Sequence, residues 1–119
     1  MFPINEGDVF SISFKHSVNQ STVTEIFQTR QGQILLTALE FEAFGAGMPT
    51  ELEPGQTLLY LETGGMRIEN FDRIIHNFYI IVGSVDMYLQ IGEQTSQRLQ
   101  NIAAPGEPVR FIFQRRGIR

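Results

Sequence analysis

The chain has 119 residues and a mass of 13.5 kDa, enough for one domain, residues 1–119, since two half-length units would each be short of core. It is 42% hydrophobic and 18% charged with no cysteine, which excludes a disordered chain, a disulfide framework, a thiolate metal or iron–sulfur site and a thiol nucleophile. Two histidines cannot build a three-histidine metal centre within one chain, and a net charge of −4 argues against nucleic acid as a partner.

From Asp8 to Lys15, Phe10, Ile12 and Phe14 alternate with Ser11 and Ser13, the period of a half-buried strand. Asn19-Gln20-Ser21 reverses the chain. Val23, Glu25, Phe27 and Thr29 then share one side of a second strand that pairs with the first as a hairpin. Gln31-Gly32 is a second short turn, and residues 34–41 read as a strand because β-branched and aromatic residues follow a glycine. Residues 42–56 hold three glycines and two prolines without a sustained period, and predict a long loop.

Thr57 to Glu62 is the next apolar run, Gly64-Gly65 a turn, and Met66 to Glu69 a short returning strand. Between Asn70 and His76 the pattern suits one helical turn or an irregular crossing. Phe78–Val82 and Val85–Ile91 are strong strands, and the two residues between them, Gly83-Ser84, predict a tight hairpin. Residues 98–102 read as a further strand, Pro105-Gly106-Glu107-Pro108 as a loop, and Val109 to Phe113 as the closing strand. Turns at this spacing predict an all-β fold, an antiparallel β-sandwich or partly open barrel of about eight short strands.

The charges are unevenly spread. Glu40, Glu42, Glu51, Glu53 and Glu62 crowd the middle, while Arg110, Arg115, Arg116 and Arg119 gather at the end. The glutamates match no calcium loop and read as solvated strand faces, so no metal or other cofactor is expected. The basic tail reads first as a solvated terminus, with a contact to anionic lipid or an acidic partner as the sharper alternative.

Three local features carry chemistry. In Phe44-Gly45-Ala46-Gly47-Met48-Pro49, two glycines let successive amides form an anion-binding concavity or let another group approach closely. No third glycine and no βαβ pattern follow, so this is not a dinucleotide fingerprint. His16 and Ser17, with Glu25 on the paired strand, supply the parts of a nucleophilic triad. Adjacent strand residues point to opposite faces, however, and no Gly-x-Ser-x-Gly elbow is present, so a hydrogen bond across the hairpin is the better reading of His16. His76, among Ile74, Ile75 and Phe78, reads as a histidine at the edge of the core.

Taken together, Phe10-x-Ile12-x-Phe14-x-His16-Ser17-Val18, Val23-x-Glu25-x-Phe27 and the Phe44–Pro49 stretch resemble an uncharacterised bacterial family, domain-of-unknown-function family 1850. Its members are small exported proteins often encoded beside TAXI-type TRAP transporters. The resemblance implies an extracytoplasmic or periplasmic location, reached through an N-terminal signal or anchor segment that precedes the folded part and is absent from this chain. It implies no chemistry.

Carried over residue by residue, the signature positions are His16, Ser17, Glu25, Phe44, Gly45, Gly47 and Pro49, which would meet if the first two strands and the glycine loop share one rim of the sandwich. The reading that follows is a non-enzymatic cell-envelope binding or accessory module, its partner a TRAP transporter subunit or a small anionic solute. The rival reading is a hydrolase or metal-dependent enzyme using the His16, Ser17 and Glu25 region. No oligomeric state is specified.

Overall fold

The computed structural model describes residues 7–15, 21–42, 52–62, 64–75, 78–83, 85–94 and 96–111. Their elements are β1 (Val9–Lys15), β2 (Thr22–Arg30), β3 (Gln33–Phe41), β4 (Thr57–Tyr60), β5 (Met66–Ile75), β6 (Phe78–Ile81), β7 (Met87–Ile91), β8 (Gln97–Arg98), a short 3-10 helix (Leu99–Asn101) and β9 (Pro108–Phe111). A seven-stranded antiparallel sheet runs β4-β5-β3-β2-β1-β7-β8, and a ribbon of β6 and β9 forms a second, smaller sheet. The fold is an all-β antiparallel sandwich whose large sheet does not close on itself.

The expected alternation sets the inward face. In β1 and β2, Phe10 pairs with Phe27, Ile12 with Glu25 and Phe14 with Val23. Phe10, Ile12, Val23 and Phe27 are buried, and so is Thr29 two residues on. The β2–β3 hairpin turns at Gln31 and Gly32, with φ of 53° and 74°, the pair of left-handed residues that a two-residue primed turn requires. Glycine adopts this conformation without penalty and glutamine does not. Gly32→Ala is therefore expected to lower stability by about 1–2 kcal/mol and Gln31→Gly to raise it by a few tenths to about 1 kcal/mol. Urea unfolding with unchanged slope would read both.

Two sheets are joined by phenylalanine. The Phe10 and Phe27 rings stack at 5.0 Å, Phe27 and Phe78 at 5.4 Å, Phe78 and Phe111 at 4.8 Å, and Phe10 and Phe111 at 6.0 Å. Each sheet thus contributes two rings to one closed cluster. Around it lie Ile34, Leu36, Val82, Leu89, Ile91 and Leu99. A second buried group, Val23, Phe41 and Ile68, lies toward the other end of β2, with Phe71 packed against both groups.

Three expectations change. Gly83-Ser84 does not make a hairpin: β6 pairs with β9, whereas β7 pairs with β1 and β8. The reason is burial. Phe78 and Ile80 are needed over the core face of the large sheet, while Leu89 and Ile91 are needed within it beside Ile12 and Phe10. The intervening chain crosses between sheets, braced by the Gln100 side chain. Its Nε2 donates to the carbonyls of Gly83 at 3.1 Å and Val85 at 2.7 Å, and its Oε1 accepts from the Met87 amide at 3.4 Å.

Residues 70–75 are neither a helical turn nor a crossing but the second half of β5. Asn70 takes φ of 63°, and three β5 residues lie opposite one of β3, between the pairs Ala38–Glu69 and Leu36–Arg73. That bulge is what obscures the period in the sequence. The expected strand at 98–102 shrinks to Gln97–Arg98, because the chain then turns inward as a 3-10 helix that buries Leu99 completely.

Candidate functional site

Of the seven signature residues, Glu25 is the one within the described chain; His16, Ser17, Phe44, Gly45, Gly47 and Pro49 lie outside it, and so does His76. The strand ends that lead into the two signature segments are neighbours. Lys15 pairs with Thr22, and Val23 with Phe41, so the ends of β1 and β3 and the start of β2 form one rim of the large sheet. The hydrolase reading rests on His16 and Ser17 and therefore also falls outside the described residues.

Glu25 sits within the sheet, not at the rim. It lies opposite Ile12 on one side and Leu39 on the other, three register positions from the Lys15–Thr22 pair, which is about 10 Å along the strand. Its face is the inward one, with Val23 of the second buried group before it and Phe27 of the first after it. A carboxyl therefore occupies the seam between two apolar clusters. Among the described residues no hydrogen bond or ion pair reaches it, and burial pushes its pKa above the ordinary glutamate value. A half-buried carboxyl in this position favours an incoming donor, an ammonium or amide N–H, or holds a proton and donates one itself.

The opposite face of the same rim carries a groove of about 390 Å³, within the size range of small-molecule sites. Thr22, Thr24, Glu40 and Glu42 line one wall and Leu61, Gly64 and Gly65 the other. The register makes this wall, since Thr24 lies opposite Glu40 and the Glu42 carboxylate accepts from the Thr22 amide at 3.3 Å. Thr24 Oγ1 also bonds Ser13 Oγ at 3.0 Å. Gly65 suits the close approach here, because a Cβ would stand 3.1 Å from the Phe41 carbonyl oxygen, a tight contact that would have to relax by a few tenths of an ångström.

Glu40 and Glu53, expected to be merely solvated, are paired. Arg67 reaches Glu40 at 2.6 Å and Glu69 at 2.8 Å, and Arg73 reaches Glu53 at 3.1 Å. These pairs neutralise two of the five glutamates of the acidic middle. Among the described residues no group of three or more His, Asp or Glu side chains could hold a metal ion. Sequence reasoning did not find the groove. Alternation alone puts Thr22 with Thr24 and Glu40 with Glu42, but only the β2–β3 register sets the two pairs side by side.

A family model for a domain of unknown function, DUF1850, matches residues 10–98, from β1 through β8. The chain belongs to the DUF1850 family. No curated protein and no solved structure matches the chain significantly. Membership agrees with the resemblance carried by the His-Ser-Val and Phe-Gly-Ala-Gly-Met-Pro signatures, both inside the matched span, and Glu25 lies inside it as well.

Proposed function

We propose that this DUF1850 domain is a non-enzymatic binding module of the cell envelope, taking a small solute or a partner loop at the β1–β2–β3 rim. The observation that carries the reading is Glu25, a carboxyl on the inward face of the sheet with apolar clusters on both sides and no donor among the described residues. No buried side-chain oxygen or nitrogen among the described residues lacks a partner, so the Glu25 oxygens keep contact with solvent and are within reach of a solute.

In this proposal Glu25 and His16 supply polar contacts. The Gly45-Ala46-Gly47 amides, which follow β3 in the sequence, take an anionic group. An ammonium or amide donor matches Glu25 and an anionic group matches the amides, and because Glu25 lies about 10 Å inward of the rim the two suit the ends of an extended solute or of a partner loop. The proposed place of action is outside the cytoplasmic membrane beside a TRAP-type solute transporter, which is what the resemblance of the signature residues implies.

Thermal unfolding of the wild type and of Glu25→Gln with amino acids, dicarboxylates and divalent cations tests the ligand. A solute at about a hundred times its Kd adds about 2.7 kcal/mol, and Tm rises by roughly 10 °C. The shift is expected in the wild type and reduced in Glu25→Gln. Recovery of the transporter's solute-binding subunit on the immobilised domain tests the partner. No shift with any solute and no recovered subunit would overturn the binding reading.

A further inference from the structure

The large sheet ends in two unlike edges. β8 is two residues long, and its Arg98 is tied to Asp86 at 2.6 Å. Brevity and charge both protect an edge strand from pairing further. β4 at the opposite edge, Thr57–Tyr60, has no charge, proline or bulge, and Leu59 is 40% and Tyr60 79% exposed on it.

The phase of the ladder shows which groups this edge presents. The Leu61 amide donates to the Gly65 carbonyl at 2.8 Å, which makes Leu61–Gly65 a hydrogen-bonded pair. Alternation along an antiparallel ladder makes Leu59–Arg67 and Thr57–Glu69 hydrogen-bonded pairs as well, while Leu58 and Tyr60 turn their N–H and C=O groups away from β5. Among the described residues no backbone partner meets those groups. The side chains alternate too. Leu58 packs inward on the group of Val23, Phe41 and Ile68, Tyr60 shares that face, and Leu59 lies on the outer face opposite Arg67.

We infer that β4 is an interface between two copies of this chain, which pair antiparallel about a twofold axis at Leu59. Like faces meet only when the axis passes through a residue position. At Leu59 it sets Leu58 opposite Tyr60 of the second copy, so the residues with free groups exchange both backbone hydrogen bonds, and the reciprocal pair does the same. An axis at Leu58 would need the Gln56 amide, which already donates to the Glu53 carbonyl at 3.1 Å. The chosen register is also self-complementary in its side chains. Tyr60 lies on Leu58 of the second copy, carrying the Val23–Phe41–Ile68 group across the joint, and the exposed Leu59 meets its own counterpart on the outer face. Glu62 falls opposite Gln56, so no like charges face each other. A four-residue strand buries little area, and the association is weak and concentration-dependent. The inference does not rest on the Glu25 reading.

Sedimentation equilibrium is expected to show monomer at about 10 μM and dimer at about 1 mM protein. Leu59→Lys sets like charges opposite each other at the axis and is expected to weaken association about tenfold without changing the circular dichroism spectrum, because the side chain is exposed. The chain has no cysteine, so Leu59→Cys and Thr57→Cys each introduce a single thiol on the outer face. In this register the Cα atoms of the two copies of position 59 stand about 4.5 Å apart, within disulfide reach, and those of position 57 about 14 Å apart. Mild oxidation is therefore expected to cross-link Leu59→Cys and not Thr57→Cys. A wild type that stays monomeric to about 1 mM overturns the inference and leaves the edge to a strand of another protein. Association unchanged in Leu59→Lys, or cross-linking as fast through position 57 as through position 59, overturns it as well.

Discussion

Phe10→Ala is expected to destabilise the protein by about 3–5 kcal/mol, a large part of the 5–15 kcal/mol that holds a domain of this size together. Phe10 stacks on Phe27 within its own sheet and on Phe111 of the ribbon, so its loss removes contacts in both layers and leaves a cavity lined by rings. The cluster is also the join. β6 and β9 are four residues each, and such a short two-stranded ribbon is not stable by itself; it is held by Phe78 and Phe111 against Phe10 and Phe27. Phe10→Leu, which keeps most of the volume, is expected to cost less than half as much. Denaturant unfolding gives the magnitude. Hydrogen exchange adds the location, since early loss of protection in β6 and β9 is expected in Phe10→Ala.

Glu25→Leu is expected to raise stability at pH 7 by about 1–2 kcal/mol while abolishing any solute response at the rim. The carboxyl has apolar neighbours before and after it on β2 and no partner among the described residues, so an apolar side chain of similar size fits the seam between the two buried groups better. The pH dependence follows from the direction of the pKa shift. Burial raises the Glu25 pKa in the folded state, so between the ordinary glutamate value and the raised one the folded protein holds more protons than the unfolded chain. The contribution of this group is fully present below the ordinary value and is lost as pH rises through the raised one. Glu25→Gln removes the titration while keeping the shape. The variant is expected to melt above the wild type at neutral pH, with the difference closing on acidification as the wild-type carboxyl takes up its proton. A difference that is constant with pH would show that Glu25 is solvated in the folded state.

Much of the fold was legible because its signals are local. Alternation in 8–15 and 23–29 placed Phe10, Ile12, Val23 and Phe27 on one face, and the Gln31-Gly32 turn joined β2 to β3 as expected. Glu25 was singled out by its place in a family signature, but its unusual setting was not visible in the sequence. Alternation puts it on the face of Val23 and Phe27, yet only the pairing with Ile12 and Leu39 shows that the residue is flanked by core strands on both sides, inward of the rim. The groove on the opposite face escaped for the same reason, since it is made by strands whose neighbourhood depends on register.

The amino-acid sequence by itself determined an all-β antiparallel domain, the inward residues of its strong strands and its family. Period-two burial and turn-forming residues act over a few positions and leave a direct trace in the chain. Only the tertiary structure decided that Phe78–Ile81 leaves the sheet of Met87–Ile91 to pair with Pro108–Phe111, that Asn70 bulges β5 instead of ending it, and that Leu58 and Tyr60 turn their backbone groups to the edge of the large sheet. Gly83-Ser84 carries as strong a hairpin signal as Gln31-Gly32, but a tight turn there would leave the phenylalanine face of the large sheet without a cover. Burial of that face outweighs the local preference of two turn residues, and it acts between positions far apart in the chain.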